Sequence, residues 1–289
     1  MEAPPEKAPV AWQPLTARGL AAFAHASLGR LLLIQLIFAF VAASAVVWFV
    51  HENWFPTVLA AIRHLPPEGQ IRSGKLDWRA DSPVRLAESR FIGLAVDLKH
   101  EGQARSPAHV QVEFGQSDVR VSSLLGFLKH AYPKGWIIAF NRPELEPWWG
   151  AWAPIILALM AAWIAAALMV SWAGLATVYF LPTWLVAFFA NRQLGLGSAW
   201  RLAGAALMPG ALFFSAVIVL YGFGGLDPVR LIIASAAHLW IGWIYLLAGI
   251  LKLQRHAGET SLGSNPFVPT GERPAGETDP AKKVERLNG

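Results

Sequence analysis

The sequence predicts a membrane-embedded, all-α helical bundle with a small α+β domain inserted between its first and second spans. Three observations predict this fold class. The 289 residues are 55% hydrophobic and 15% charged, whereas soluble globular proteins average about 25% charged residues. Several apolar runs reach the ~20 residues that a helix needs to cross a ~30 Å hydrocarbon core. The one long polar stretch lies between the first two of these runs.

The first membrane span is predicted over residues 29–51. It follows a cytoplasmic lead, residues 1–28, whose second half has the amphipathic pattern of an interfacial helix. Its apolar run extends from Leu31 to Val50, with Gln35 as the only polar interruption of any size. A cleaved signal peptide is the alternative, because Ala43-Ser44-Ala45 resembles a cleavage site, but the long polar lead and the apolar residues that continue beyond it favour an uncleaved span.

A four-helix membrane region is predicted over residues 148–252. It opens with 43 positions, Trp148 to Ala190, that contain no charged residue. This run is long enough for two helices with a tight turn at Ser171–Gly174, the second of them short and kinked at Pro182. Two further spans bring the total to about five: Leu202–Tyr221 and Val229–Leu251. Residues 253–289 are predicted to be a disordered tail, because they offer too little apolar surface to fold.

The polar stretch, residues 52–147, is predicted to form an extracytoplasmic α+β domain. A helix over Thr57–His64 should end at Pro66-Pro67, and Ser122–Tyr132 is predicted to be a second helix. Alternating or β-rich runs predict short strands between and after them: Gln70–Arg72, Lys75–Trp78, Phe91–Leu98, Val110–Phe114, Val119–Val121 and Trp136–Phe140. The stretch carries 12 basic and 11 acidic residues. This near-neutral balance argues against nucleic-acid binding.

The distribution of basic residues gives conflicting indications of topology. Arg18 and Arg30 precede the first span, so the positive-inside rule predicts a cytoplasmic N-terminus. With five crossings from there, a later group of basic residues would lie outside, which violates the same rule. This group consists of Arg192, Arg201, Lys252 and Arg255. Either Leu175–Ala190 turns back without crossing, or the N-terminus lies outside. The sequence leaves the orientation of the C-terminus open.

Six intramembrane residues are candidate polar or helix-packing positions. His238 is the only ionisable side chain inside the last span, and it shares a helical face with Gly242 and Tyr245. Such a histidine can fasten helices together, with Gln35 as one possible partner, or belong to a proton path, although proton paths normally contain several ionisable groups. Pro209 and Gly210 lie inside another span, where a fixed kink and close helix approach are expected.

The sequence predicts no catalytic, cofactor-binding or metal-binding residue. There is no Cys, which excludes thiolate chemistry and thiolate metal sites. No metalloprotease, calcium-loop, nucleophile-elbow or phosphate-loop motif stands in a suitable context. The acidic residues and histidines of the inserted domain, including Asp97, His100 and Glu113, are predicted to be solvated turn charges. A weak divalent-cation contact at Asp97-x-x-His100-Glu101 is the alternative.

The order of these parts resembles a family of uncharacterised bacterial multi-span membrane proteins, some of them described as maltodextrin-utilisation membrane components. More distantly it resembles the five-span Yip1-type bundle. Three short matches carry the resemblance: Leu65-Pro66-Pro67, the Gly69–Leu76 hairpin segment and Met208-Pro209-Gly210. The strand that ends at Asp97 is a fourth feature, although Leu98-Lys99 follows it where the family often has a Thr-Gly turn. The resemblance implies an inner-membrane location and no reaction.

The predicted function is a non-enzymatic, multi-pass protein of the bacterial cytoplasmic membrane. Its partners would be the lipid bilayer and a protein that contacts the inserted domain, so that it would act as an accessory or scaffold. The alternative is a transporter component or minor permease that uses the polar face around His238.

Overall fold

A computed structural model describes residues 11–255 of the chain. The first ten residues of the predicted lead lie outside the described residues. Residues 256–289 of the predicted disordered tail also lie outside the described residues.

The helices lie at both ends of the described chain and flank a β-rich segment. They are α1 (Ala17–Ala22, extended by a 3₁₀ turn at Phe23–His25), α2 (Leu28–Asn53), α3 (Phe55–Arg63), α4 (Arg142–Phe189), α5 (Leu196–Gly222) and α6 (Pro228–Leu251). Side-chain caps fix several starting points: Ser27, Asn141 and Asp227 each accept a hydrogen bond from the backbone N–H three residues later.

Four of the helical segments are long and apolar enough to cross a membrane: α2 with α3, α4, α5 and α6. They are compatible with an integral membrane protein. The expected fifth span is not confirmed, because α4 continues through Ser171–Gly174 as one helix of 48 residues. Gly174 permits a turn but does not force one. Trp172, which is buried against Ala39 and Ala43 of α2, keeps this part of α4 packed along the bundle.

The four long helices alternate in direction. Gln35 in α2 contacts Gly204 in α5, and Trp48 lies against Gly222 further along both helices, so α2 and α5 run in parallel. Helix α6 runs against α5, because Gly249 near its end packs beside Leu202 near the start of α5. Helix α4 likewise runs against α2.

This arrangement puts the start of α2, the α4–α5 loop and the end of α6 at one end of the bundle. We call it the basic end, because it carries five cations: Arg18, Arg30, Arg192, Arg201 and Lys252. No carboxylate occurs in residues 11–51 or 190–226. With four helices instead of five, the conflict in the positive-inside rule disappears for Arg192, Arg201 and Lys252, since they lie at the same end of the bundle as Arg18 and Arg30.

The inserted domain contains two sheets, a small antiparallel one and a larger mixed one. Their strands are β1 (Gln70–Arg72), β2 (Lys75–Asp77), β3 (Val84–Glu88), β4 (Ile92–Val96), β5 (Val110–Phe114), β6 (Asp118–Ser123), β7 (Gly126–Ala131) and β8 (Ile137–Ala139). The small sheet has the order β2-β1-β8 and the larger one β3-β4-β5-β6-β7, with β4 and β5 parallel. Leu94 and Val96 of the larger sheet form the domain core with Ala61 and Leu65 at the end of the α3 segment.

One predicted helix of the domain is wrong. Ser122–Tyr132 forms the end of β6, a turn and β7, with Ser122 opposite Phe127 and Val121 opposite Leu128. The apolar residues that suggested a buried helix are exposed instead. Gly126 has a φ of 119°, which L-residues rarely adopt, and it allows the chain to reverse here. The strand β3 was not predicted.

Candidate functional site

A cavity of about 220 Å³ lies among the four long helices. Its wall is mainly apolar, with Ala42 from α2 and Leu168 from α4. Three polar side chains also reach it, namely Tyr179 from α4, Ser215 from α5 and His238 from α6. Apolar pockets with a few convergent polar groups are the usual form of a small-molecule site. The cavity is therefore the candidate binding site within the bundle.

His238 is held in a fixed orientation at this cavity. Its Nδ1 donates a hydrogen bond to the backbone oxygen of Ser235, one turn earlier in α6. The ring stacks on Phe214 of α5, with 5.1 Å between the ring centroids and 23° between the planes. Among the described residues, no hydrogen-bond partner faces its Nε2. This nitrogen is consequently available to a polar group that enters the cavity.

Gly210 and Gly242 let α5 and α6 approach closely beside the cavity. A Cβ atom on Gly210 would lie 2.7 Å from the backbone oxygen of His238. One on Gly242 would lie 3.4 Å from the backbone oxygen of Ala206. The predicted sharing of one helical face by small residues around His238 therefore corresponds to a close helix–helix contact.

Gln35 joins α2 to α5 and does not meet His238. Its side chain is buried, and its Nε2 donates a hydrogen bond of 3.1 Å to the backbone oxygen of Gly204. Gly204 lies six residues before Gly210 on α5, and Gly210 is the residue that approaches His238. At 1.5 Å per residue, the two glycines are about 9 Å apart along the helix axis. The two polar side chains thus stabilise different levels of the bundle.

Pro209 and Tyr245 lie on a second, shallower hollow between α5 and α6. Pro209 is buried within an uninterrupted α5. Tyr245 is half-buried and lines this hollow with Leu15 of the N-terminal segment. Neither residue belongs to the wall of the main cavity.

The inserted domain holds a buried charged cluster that the sequence did not predict as such. The His100 ring contacts Glu113 of β5 through Nδ1 and Asp118 of β6 through Nε2, the latter at 2.7 Å. Lys129 of β7 lies 3.1 Å from Asp118 and brings a positive charge to this carboxylate. The pKa of Asp118 is raised by burial, but hydrogen bonds from His100, Lys129 and Ser117 outweigh this effect and hold it below the usual value.

This cluster fastens the β4–β5 connection to the sheet. His100 has a φ of 56°, a left-handed conformation that costs a non-glycine residue of order 1 kcal/mol. Asp97 supports the same turn, because its carboxylate accepts hydrogen bonds from the backbone N–H groups of Lys99 and Gly102. The predicted solvated turn charges are instead buried at Asp97 and Glu113 and half-buried at His100. In the described residues no group of three or more His, Asp or Glu is arranged to hold a metal ion.

The domain is attached to the end of the bundle opposite the basic end. Arg90 donates hydrogen bonds to the backbone oxygens of Gly224, at 2.9 Å, and Leu226, at 3.3 Å, in the α5–α6 loop. His109 Nδ1 lies 2.6 Å from the Tyr221 hydroxyl at the end of α5. Phe91 packs edge-on against Tyr221, with 5.1 Å between the ring centroids.

The electrostatics of this contact favour the neutral form of His109. Burial, followed by the positive charge of Arg90, lowers the pKa of His109 below 6.5, and Asp227 opposes the shift only in part. A neutral imidazole can accept the hydrogen bond of the Tyr221 hydroxyl through its unprotonated nitrogen. The contact between domain and bundle is made by this ring together with Arg90 and Phe91.

A polar hollow lies on the small sheet of the domain. It is lined by Glu68, Asp77, Arg79 and Glu144, so acidic groups outnumber basic ones. Arg79 is 2.7 Å from the Glu68 carboxylate. The exposed side chain of Ile137 also lines it, which gives the hollow an apolar margin.

Sequence reasoning missed Asp118, Arg90, His109 and Tyr221 as structurally important residues. Their spacing in the sequence does not indicate these contacts, because the residues in contact lie far apart along the chain. Arg90 and Leu226, for example, are separated by 136 positions. For Asp118, the alternation of Val119-Arg120-Val121 had indicated a strand, but not which carboxylate would face the interior.

No protein-family model, no curated protein and no solved structure matches this chain. The resemblance to uncharacterised bacterial membrane proteins stays a prediction.

Proposed function

We propose that this protein is a non-enzymatic membrane scaffold that presents the inserted domain to a protein partner on the outer face of a bacterial cytoplasmic membrane. The observation that carries the proposal is the attachment of the domain to the bundle through Arg90, His109 and Phe91. Such contacts fix the position of the domain relative to the helical bundle. A tethered domain with no fixed position would not need them.

The basic end supports the proposed orientation. Among residues 11–255 these five cations have no carboxylate nearby, and such a group is typical of a cytoplasmic boundary. The domain lies at the opposite end and would face outward. The polar hollow is the surface that best fits a protein partner, because Glu68, Asp77 and Glu144 would favour a basic segment.

Site-specific photo-crosslinking in living cells tests the scaffold proposal. A photo-reactive residue at Ile137, beside the hollow, should give one discrete protein adduct. The matched control is the same residue at Gln116, which is exposed on the β5–β6 turn. Absence of an adduct at Ile137, or identical adducts at both positions, would contradict a partner that recognises the hollow.

A transporter component or minor permease is the second candidate function, and the cavity at His238 favours it. Its free Nε2 could bind a hydroxyl group of an amphipathic molecule among apolar walls. A permease requires water to reach this cavity during its cycle. Ser215→Cys is a small change at the wall, and Ala43→Cys is a control in the packed core. Reaction of the first but not the second with a charged thiol reagent would favour transport. Equal protection of both would rule it out.

A further inference from the structure

The β6–β7 hairpin exposes an apolar tip that nothing in the described chain covers. Leu124 and Leu125 form the turn and are 60% and 83% exposed, and Phe127 and Leu128 at the start of β7 are 70% and 72% exposed. Four large apolar side chains on one hairpin form a patch that soluble surfaces rarely carry.

The sheet topology puts this tip at the end of the domain that faces the bundle. Strands β4 and β5 are parallel. Both begin beside the bundle, because Phe91 and His109, which directly precede them, contact Tyr221. Strand β6 runs against β5 and therefore ends on this side. The β6–β7 turn consequently lies at the level of the bundle end.

The tip also lies to the side of the contacts that attach the domain. Neighbouring strands are about 4.8 Å apart, so β7 is about 10 Å beyond β5. Leu124 lines a shallow hollow together with Pro228 and Val229, the first residues of α6. Val229 is itself 54% exposed. The hairpin thus reaches the periphery of the bundle, at the depth where a membrane-spanning helix begins.

We propose that the β6–β7 hairpin inserts its apolar tip into the adjacent lipid leaflet. The occupant of this surface is the headgroup–acyl boundary of the bilayer that the helices span. Leu125 and Phe127 would enter the boundary region, as apolar side chains of interfacial proteins do. Arg120, whose guanidinium lies 5.4 Å from the centre of the Phe127 ring, would face the phosphate groups.

A second copy of this chain is the competing occupant, because β7 is an edge strand. Its middle carries Lys129, and a lysine on an edge strand hinders edge-to-edge pairing. The apolar residues are concentrated instead at the turn, where a hairpin meets a surface end-on. The observations therefore favour lipid over a partner strand. The inference goes beyond the scaffold proposal and does not depend on it.

Spin-label accessibility in vesicles tests the insertion. The protein has no native Cys, so single labels can be placed at Leu125→Cys and, as control, at Gln116→Cys on the opposite end of the sheet. In vesicles of phosphatidylethanolamine and phosphatidylglycerol, collisions with oxygen should dominate at position 125. Collisions with a water-soluble nickel complex should dominate at position 116. The depth parameter should therefore have opposite signs at the two positions.

Two results would overturn the insertion. One is water-like accessibility at position 125, equal to that at position 116. The other is protection from both reagents together with dipolar broadening between labels, which identifies a second copy. Phe127→Cys provides an independent label should the first variant fail to fold, and the same signs are expected there.

Discussion

Replacing Gly210 by Ala should separate α5 from α6 and destabilise the bundle. The new Cβ would lie 2.7 Å from the backbone oxygen of His238, whereas ordinary contact begins at 3.4 Å. A backbone atom cannot swing aside as a flexible side chain can, so the helices must move apart by about 0.7 Å at this contact, or other packing must give way. Overpacking of this kind costs about 1–3 kcal/mol.

Gly174→Ala is the matched control in the middle of α4. A Cβ at this position would meet no atom within 4 Å. Both substitutions gain the same helix propensity, about 1 kcal/mol. The difference between the two variants therefore reports the steric cost at Gly210 alone, and we expect the Gly210 variant to be the less stable by about 1–3 kcal/mol.

Reversible unfolding in mixed micelles of mild detergent and dodecyl sulfate, followed by helical circular dichroism, measures this difference. Equal stability of the two variants would refute the close contact between α5 and α6. Destabilisation by Gly174→Ala would refute a continuous α4, because it would indicate a turn that needs glycine there.

Three other perturbations test separate parts of the molecule. Gln35→Leu removes the hydrogen bond from this side chain to the Gly204 oxygen and should cost about 1 kcal/mol in the same unfolding assay, whereas unchanged stability would contradict that bond. Because the pKa of Asp118 is lowered in the folded domain, its stabilising contribution is present above the ordinary value of 3.8 and is lost as the pH falls through the lowered pKa. Asp118→Asn should therefore destabilise the domain at neutral pH and flatten its acid dependence, measured by hydrogen exchange of β6; an unchanged profile would contradict this. Burial, followed by the positive charge of Arg90, lowers the pKa of His109 in the attached domain, so attachment should weaken as the pH falls below the ordinary value of 6.5. The distribution of distances between a label on the domain and a label on the α5–α6 loop should broaden below pH 6.5. His109→Phe should abolish that pH dependence.

The sequence predicted the parts of the fold that depend on local pattern. Apolar runs of sufficient length identified α2, α5 and α6, and the alternation at Val110–Phe114 identified β5 with its observed bounds. These features follow from hydrophobic length and period, which each segment carries in itself.

The sequence failed where distant contacts decide between local alternatives. Gly174 in a long apolar run permits either a turn or a continuous helix, and only the packing of Trp172 on α2 distinguishes them. Leu124 to Leu128 have the composition of a buried helix, yet the pairing of β7 with β6 leaves them exposed. Apolar composition alone cannot tell a protein core from a surface that meets lipid.

The candidate site was predicted in part. The small residues beside His238 could be placed on one helical face from the sequence, because their spacing is a local property. The separation of Gln35 from His238 could not be predicted, since it depends on the relative heights of α2 and α6 in the bundle. The contact between His109 and Tyr221 joins residues 112 positions apart and has no sequence signal.

Labelling from the two sides of the membrane tests the central claim most directly. Gln116 of the domain and Gln193 of the α4–α5 loop are both exposed and lie beyond opposite ends of the bundle. With single cysteines at these positions, a membrane-impermeant maleimide added to intact spheroplasts should modify position 116 and should reach position 193 only after permeabilisation. Modification of both positions from the same side would contradict the four-crossing arrangement.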